Sequence, residues 1–306
     1  MKMGICSMFR DEGPYLAEWI RFHQAQGFSK FYLFDDKSSD GFREVLDPYI
    51  RRGIVVLSSP PTVTADMHTQ NRQRVCFNIG LAMAKKECDW VAIIDVDEFL
   101  FAPNGNLADV LPKDRFVAGV FIRWRMFGSS GHESPPEAGV VESYTKRARI
   151  PATLEEMKAM TVMQSEFFGK NVKRPINGRL FNGKCILRPR LIMRSGVHLP
   201  ALFFGRLIYE NGVTVLLQNH RWFNGLRRSA IPPDESLATS EVLRINHYWS
   251  KSVSDMKSKS VKWPSGTNGI DPHLRWDAEV LNAIEDREVF RKLPSDPAGS
   301  SKEIHN

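Results

Sequence analysis

WVAIIDVDE, residues 90–98, decides the fold: five apolar residues are followed by three carboxylates within four positions. An apolar run without polar alternation is typical of a strand covered on both faces, as in the centre of a parallel sheet. In such sheets, ligands bind beyond the carboxyl ends of the strands. The stretch therefore predicts a central strand that delivers Asp95 and Asp97 to a binding edge.

Strand and helix patterns alternate in the residues that precede this run. The predicted strands cover 3–9, 31–34, 54–57 and 90–94, and the predicted helices cover about 14–26, 41–52 and 67–86. This alternation indicates a Rossmann-like α/β fold with a mostly parallel sheet, flanking helices and right-handed crossovers. The polar clusters Arg10-Asp11-Glu12 and Asp35-Asp36 also follow strands, so we expect them at the same edge as Asp95.

The pattern changes after residue 116. A long strand over 116–127 precedes a Gly/Ser/Pro-rich loop over 128–139, and further strand-like pieces extend to about 220. Helical patterns return over 252–262 and 276–292, and residues 294–306 have the low apolar content of a mobile tail. No internal repeat or linker divides the chain, so we predict one domain over 1–293 followed by a tail.

Composition excludes several classes. The chain has 306 residues, a formal charge of +7 and 42% hydrophobic residues, as in ordinary globular proteins. No window approaches the roughly 18 apolar residues that a membrane span needs, and Met1–Gly4 enters a strand pattern without a signal-peptide cleavage site. The four cysteines fit no zinc-binding spacing, which favours buried thiols in a cytoplasmic protein. The basic residues form no long run, which favours a solvated surface or an anionic ligand over nucleic acid.

Asp95 and Asp97 have the spacing of a metal site. Residues i and i+2 of a strand point to the same side, so both carboxylates are predicted to reach one divalent cation, Mn²⁺ or Mg²⁺. We expect Asp97 to bind it directly and Asp95 to act through water or a ribose hydroxyl. The alternative is a plain acidic turn, but carboxylates in so apolar a neighbourhood are costly unless a cation or hydrogen bonds satisfy them.

Four separated motifs carry a resemblance to a known family. They are FRDEGPYLAEWIRFHQAQGFSKFYLFDDKSSDG from Phe9, DWVAIIDVDEFLF from Asp89, RWRMFGSSGH from Arg123 and INHYWSKS from Ile245. Together they resemble glycosyltransferase family 92, within the GT-A transferases, over roughly residues 4–260. The resemblance implies a GT-A fold with a nucleotide-sugar-binding half (1–101) and an acceptor-side β region in the second half (102–293). It also implies Mn²⁺ or Mg²⁺, an inverting mechanism, a glycan acceptor and a donor such as UDP-galactose or UDP-xylose. A cytoplasmic bacterial or viral enzyme fits better than a Golgi one.

The resemblance assigns donor-side roles to residues at the strand ends, on the helix over 67–86 and in the INHYWSKS motif. These residues are Arg10, Asp11, Glu12, Asp36, Arg72, Gln73, Asn78, Asp95, Val96 and Lys251. Each has a plainer alternative, because Asp36–Gly41 is rich in turn formers and a charged helix face is common.

A histidine from the C-terminal half often completes a GT-A metal site. His198 and His247 are both candidates, with a slight preference for His198, and His220 is a weaker third. Imidazole is a good manganese ligand, although a histidine among apolar residues is more often a satisfied core residue.

The resemblance places the acceptor cleft near Trp124–Glu142. Trp124 and Phe127 are candidates for stacking on a sugar, and Gly128 and Ser129 for close backbone approach. The candidate catalytic bases are His132, Glu133, Glu137 and Glu142. The alternatives are a buried aromatic pair and a loop of solvated acids.

Two basic groups are candidates for binding the diphosphate, with plain surface charge as the alternative. One consists of Lys184, Arg188, Arg190 and Arg194, and the other of Lys251, Lys257 and Lys259 beside a possible lid at Trp263–Gly266.

Two other functions stay open. A sugar-nucleotide nucleotidyltransferase shares the fold and metal but needs a Gly-rich loop, whereas Ser7–Gly13 contains one glycine. A non-enzymatic, basic polyanion-binding protein would show salt-sensitive binding without a metal effect. A dehydrogenase is disfavoured because no GxGxxG follows a strand.

Overall fold

Strands and helices alternate through the first hundred residues, as the sequence predicts. The computed structural model describes residues 1–151, 183–222, 225–231, 242–262 and 271–292, with scattered positions between 153 and 163. Its strands are β1 (Met3–Phe9), β2 (Phe28–Asp35), β3 (Val55–Ser58), β4 (Trp90–Ile93), β5 (Glu98–Phe101), β6 (Val117–Met126), β7 (Lys146–Arg147), β8 (Gly183–Leu187), β9 (Ile192–Arg194), β10 (Ala201–Leu202), β11 (Arg206–Tyr209), β12 (Leu216–Trp222), β13 (Gly225–Ile231), β14 (Arg244–His247) and β15 (Ile284–Glu285). Its helices are α1 (Gly13–Ala25), α2 (Phe42–Arg51), α3 (Thr69–Glu87), α4 (Leu107–Val110), α5 (Val140–Ser143), α6 (Val253–Lys262) and α7 (Asp271–Trp276), with a π-helical turn at Asp277–Leu281 and 3₁₀ turns at Thr62–Thr64, Pro189–Leu191 and Glu288–Lys292.

Nine of the described strands form one sheet. Its order is β3-β2-β1-β4-β8-β6-β14-β5, and β11 also pairs with β6. Strands β3, β2, β1 and β4 are parallel, whereas β8 runs antiparallel to both β4 and β6, and β5 runs antiparallel to β14. The predicted α/β fold, with a mostly parallel sheet and an additional β region, is confirmed.

Both faces of the sheet are covered, which explains the apolar strands. On β1, Ile5 belongs to the core cluster that contains Trp19 of α1, whereas Cys6 belongs to the cluster that contains Phe77 of α3. Helix α3 packs very closely on β1, because a Cβ atom at Gly80 would lie 2.3 Å from the sulfur of Cys6. All four cysteines are buried and free.

The predicted helix over 276–292 is wrong. In this range α7 ends at Trp276 and one π-helical turn follows, β15 then pairs with β7, and a 3₁₀ turn covers Glu288–Lys292. The carboxylate of Asp277 accepts hydrogen bonds from the backbone N–H (2.8 Å) and hydroxyl (2.5 Å) of Ser129, and Asn282 also donates to it. These tertiary bonds hold the segment against the loop after β6, and local helical periodicity does not reveal them.

Several expectations lie outside what the structure tests. Residues 294–306 and the possible lid at 263–266 lie outside the described residues. The division into halves at residue 101 stays a prediction. None of the described helices combines the length and apolar content that crossing a membrane requires.

Candidate active site

Helix α3 connects the ends of β2 and β4. The guanidinium of Arg72 donates to both carboxylate oxygens of Asp36, at 3.0 and 2.7 Å. The next residue, Gln73, donates from its side-chain amide to Oδ1 of Asp95 at 2.8 Å. The predicted convergence of these strand ends is therefore present, and two consecutive helix residues hold it together.

The end of β1 joins the same edge. The backbone N–H of Asp11 donates to the hydroxyl of Ser38 (2.8 Å), and its Oδ1 accepts from the backbone N–H of Ser39 (2.6 Å). Glu12 forms an ion pair with Lys251, with 2.5 Å between Oε2 and Nζ. Lys251 therefore reaches the end of β1 from the second half of the chain.

The structure shows what surrounds three other donor-side candidates, namely Asn78, Val96 and Arg10. The side-chain amide of Asn78 exchanges two 2.9 Å hydrogen bonds with the backbone of Ser195, so it pins that loop to α3. Val96 is buried. Arg10 lies 3.9 Å from Asp11 in a loose ion pair.

Asp95-Val96-Asp97 forms a turn in the structure. Strand β4 ends at Ile93 and β5 begins at Glu98, so the two aspartates lie between strands. The expectation that they share one face of a strand is wrong for this reason. Their side chains consequently take different partners.

Asp97 lies between a lysine and a histidine. Its Oδ2 contacts Nζ of Lys259 on α6, and its Oδ1 lies 3.4 Å from Nε2 of His247 on β14. Burial alone would raise the pKa of Asp97, but Lys259 and His247 together hold this pKa well below its usual value. Asp97 is therefore an anion despite its burial.

Asp95 and Glu98 share a fully buried lysine. Nζ of Lys184 lies 2.8 Å from Oδ2 of Asp95 and 3.9 Å from Oε2 of Glu98. Burial would lower the pKa of Lys184, but Asp95 and Glu98 raise it. Burial raises the pKa of Glu98, Lys184 opposes this shift, and the charges of Asp95 and Asp97 add to it. The single ammonium of Lys184 is thus the shared counter-ion of two carboxylates.

Three possible metal ligands come together at this turn. Ligand atoms of Asp97, Glu98 and His247 all lie within 4.8 Å of one another. The antiparallel register of β14 and β5 sets His247 directly opposite Glu98. Oε1 of Glu98 and Nδ1 of His247 are buried without a hydrogen-bond partner among the described groups. Burial lowers the pKa of His247, although Asp97 opposes the shift, so the imidazole is neutral and able to bind a metal.

The three candidate histidines lie at different distances from the Asp97 cluster. His198 is not part of this cluster: its Nδ1 lies 3.1 Å from the carbonyl oxygen of Gly183, and burial together with Lys184 lowers its pKa to about 4. The ring of Trp124 packs against both histidines, with its centre 4.4 Å from that of His247 and 5.5 Å from that of His198. His220 lies on β12, in a separate two-stranded sheet. The structure brings His247, rather than His198, to Asp97.

Most of the acceptor-side candidates are internal. Phe127 is fully buried and packs on Tyr248 at 4.7 Å, so it cannot stack on a substrate in this arrangement. Gly128 and Ser129 contact the segment around Asp277. Ser129 is buried there and donates two hydrogen bonds to Asp277. Trp124, which is 8% exposed, packs against His247.

The candidate bases differ in their surroundings. Glu137 lines a cavity of about 600 Å³ between α1, α6 and the loop after β6. Glu133 and Glu142 are exposed, and the ring of His132 is held at 3.1 Å from the carbonyl oxygen of Ser143. The structure thus joins one candidate, Glu137, to a cavity.

The sequence assigned no role to Glu98, and it gave Lys184 and Lys259 only as candidates for binding the diphosphate, not as counter-ions of Asp95 and Asp97. Two of these residues could have been found from the sequence. Glu98 directly follows the Asp95-Val96-Asp97 turn, and a lysine such as Lys184 inside the apolar strand β8 indicates a buried counter-ion. Two arginines of the group that contains Lys184 have other partners: Arg188 donates to the carbonyl oxygens of Val117 and Pro112, and Arg190 to that of Lys85.

A mostly parallel sheet with carboxylates and a histidine at its carboxyl edge defines an α/β protein with a candidate ligand site at the strand ends. The profile of glycosyltransferase family 92 matches residues 2–264, so the chain belongs to this family. The family predicted from the four motifs is confirmed.

Similar proteins cover only part of the chain. A glycosyltransferase family 92 protein of Oryza sativa subsp. japonica is 34% identical over 155 residues, which is 49% of this chain and 25% of the rice protein. One of Ricinus communis is 31% identical over 156 residues, which is 49% of this chain and 27% of that protein. The chain thus spans about a quarter of the length of the curated relatives it matches.

Two solved structures illustrate the structural similarity. Staphylococcus aureus TarS in complex with UDP has 16% identity and a TM-score of 0.35, covering 62% of this chain and 48% of that one. Mycobacterium tuberculosis glucosyl-3-phosphoglycerate synthase, with Mn²⁺, UDP and glucosyl-3-phosphoglycerate, has 12% identity and a TM-score of 0.34, covering 79% and 89%.

Proposed function

We propose that the chain transfers a sugar from a nucleotide-sugar donor to a glycan hydroxyl, with a divalent cation held by Asp97 and His247. The cluster of Asp97, Glu98 and His247, within 4.8 Å of one another at the edge where β4 ends, is the observation that carries this proposal. Carboxylates with one imidazole suit Mn²⁺, and Mg²⁺ is the alternative. Membership of family 92 supports the sugar-transfer chemistry.

The residues of the cluster fit a cation. Oε1 of Glu98 and Nδ1 of His247 are buried without hydrogen-bond partners among the described groups, and such atoms cost free energy unless they are occupied. Lys259 contacts one oxygen of Asp97, so a metal ion bound there would compete with this ammonium for the carboxylate. When bound, the metal ion would neutralise charge that develops on the diphosphate leaving group.

For the donor, we propose UDP-sugars such as UDP-galactose or UDP-xylose. The nucleoside would lie at the edge formed by the ends of β1 and β2, where Asp36 and Arg72 offer hydrogen-bond acceptors and donors side by side. Lys251, close to Glu12 and to Asp97, would lie near the diphosphate. Lys259 is a second cation at the same place.

Inverting transfer needs a base on the acceptor side, opposite the leaving diphosphate. We propose Glu137 for this role because its cavity adjoins the donor edge at Asp11. His132 and Glu133 are the alternatives. A cytoplasmic setting remains part of the proposal and is supported by the four free cysteines.

The test compares Asp97→Asn with the natural chain. Thermal unfolding is followed with Mn²⁺ and a panel of nucleotide sugars, and release of free nucleoside diphosphate is measured. We expect one donor to raise the Tm in a metal-dependent way, and Asp97→Asn to remove that part and to slow release at least about 100-fold. Asp47→Asn, at an exposed position on α2, is the control.

Three outcomes would contradict the proposal. They are full activity of Asp97→Asn, release of pyrophosphate, which indicates a nucleotidyltransferase, and salt-sensitive binding to any polyanion without a metal effect.

A further inference from the structure

A cavity of about 600 Å³ opens beside the donor edge, between α1, the loop after β2, the loop before α5, and α6. Five of its lining residues are carboxylates, namely Asp11, Glu18, Asp40, Glu137 and Asp255. No Lys, Arg or His is among the described residues that line it. This composition contrasts with the chain as a whole, which carries a formal charge of +7.

Three of these carboxylates are fixed in place by hydrogen bonds. Glu18 accepts from the backbone N–H groups of Val140 (2.7 Å) and Val141 (3.0 Å). Asp40 accepts from the N–H of Gly13 at 2.7 Å, which ties the loop after β2 to the start of α1. Asp255 accepts from the hydroxyl of Tyr15 at 2.8 Å. The negative charge of the wall is thus positioned by the fold.

The cavity also borders a buried hydroxyl without a well-formed hydrogen bond. Tyr144 lines the cavity and is 1% exposed, and its hydroxyl makes no hydrogen bond of good geometry with a described group, although Ser252 lies within interaction range. Burial raises the pKa of Tyr144, and the charges of Asp255 and Glu18 add to the shift while nearby Ser252 opposes it. The hydroxyl therefore lies near two carboxylates of the cavity and keeps its proton, as a hydrogen-bond donor or acceptor for a ligand.

Short contacts connect the cavity to the proposed metal site. Asp255 precedes Lys259 by four residues on α6, or about 6 Å along the helix, and Lys259 contacts Asp97. On the other side, Nζ of Lys251 lies 3.5 Å from the centre of the Tyr15 ring and pairs with Glu12. A molecule in the cavity would be next to a donor bound at the strand ends.

We propose that this cavity binds the acceptor, and that the acceptor is an uncharged saccharide. Carboxylates accept hydrogen bonds from sugar hydroxyls, and the partly exposed ring of Tyr15 offers an apolar surface to its C–H groups. A phosphate, sulfate or uronate would face several like charges and no lining cation, which disfavours it. Sugar transfer is taken here from the proposed function, but binding of a saccharide can be measured without it.

The test uses pairs of probes that differ in one charge. Methyl hexopyranosides and the corresponding methyl hexuronates are offered to the protein, and binding is measured by saturation-transfer NMR. With the donor and Mn²⁺ present, transfer to each probe is measured as well. We expect a neutral member to bind and the uronate to bind at least about tenfold more weakly, with a difference that grows at low ionic strength.

Tyr144→Phe removes only this hydroxyl. It should weaken binding of the neutral glycoside about five- to tenfold, and Tyr49→Phe on α2, outside the cavity, should not. Neutral binding that depends on Tyr144 without any donor use would support the cavity and overturn the sugar-transfer function. Donor use together with equal binding of uronates, or with neutral binding indifferent to Tyr144→Phe, would overturn the cavity and leave the function intact.

Discussion

Nζ of Lys259 contacts one oxygen of the Asp97 carboxylate, and the other oxygen lies 3.4 Å from Nε2 of His247. Lys259 also donates to the carbonyl oxygen of Trp249 at 3.2 Å, so its ammonium is held in place by two partners. A metal ion that binds Asp97 therefore competes with this ammonium for the carboxylate. A donor diphosphate would offer Lys259 another anion and so ease the exchange.

Replacing Lys259 should strengthen metal binding in the absence of donor. Lys259→Met removes the competing charge, and we expect Mn²⁺ alone to bind roughly tenfold more tightly, which corresponds to about 1.4 kcal/mol. Donor-dependent activity should fall, because the diphosphate loses a cation. Calorimetric titration with Mn²⁺ measures the first effect. Lys86→Met on α3 is the control, and an unchanged Mn²⁺ affinity in Lys259→Met would show that the ammonium does not compete.

The two candidate histidines give opposite expectations. His247→Gln should lower Mn²⁺ affinity about 10–100-fold, since it removes a ligand opposite Glu98. His198→Gln should change it by less than about threefold, because His198 bonds to the carbonyl oxygen of Gly183 outside the cluster. The same titration with Mn²⁺ decides between them. A larger loss for His198→Gln would restore the preference drawn from the sequence.

The buried lysine on β8 should matter for stability. Lys184→Met leaves Asp95 and Glu98 without their shared cation, and removing one partner of a buried ion pair costs about 3–5 kcal/mol. Urea denaturation should show a loss of roughly this size. Adding Glu98→Gln to Lys184→Met should recover part of it, and purely additive effects of the two substitutions would exclude the coupling.

Stability should fall in mild acid because of His23. Its Nδ1 lies 2.8 Å from the carbonyl oxygen of Trp19, its Nε2 accepts from the N–H of Leu100 at 3.1 Å, and burial lowers its pKa to about 3. The unfolded chain binds this proton near pH 6.5 whereas the folded chain does not, so stability is full above that pH and decreases toward pH 3. The slope from this group is at most about 1.4 kcal/mol per pH unit.

Urea titrations at pH 7, 6 and 5 measure this slope. His23→Gln, which cannot titrate, should have a shallower pH dependence even if it is less stable at pH 7. Equal slopes in both proteins would assign the acid sensitivity to other groups.

Much of the fold follows from local sequence pattern. The apolar runs at β1, β2 and β4 and the helical spacing of Leu16, Trp19 and Ile20 are visible in the chain, because strands covered on both faces and one-sided helices leave a period in it. The segment after residue 276 is an exception, because its helical pattern does not give one continuous helix. Its shape depends on hydrogen bonds between Asp277 and Ser129, which are 148 residues apart.

In the candidate site, too, some features follow from local sequence and others only from the tertiary structure. The sequence by itself determined that Asp95 and Asp97 follow a buried strand, since that depends on neighbouring residues alone. Only the tertiary structure separated their roles, because β14, β8 and α6 bring His247 and Lys259 to Asp97 but Lys184 to Asp95. Which distant side chain meets which carboxylate depends on strand register and helix position, and these are properties of the assembled sheet.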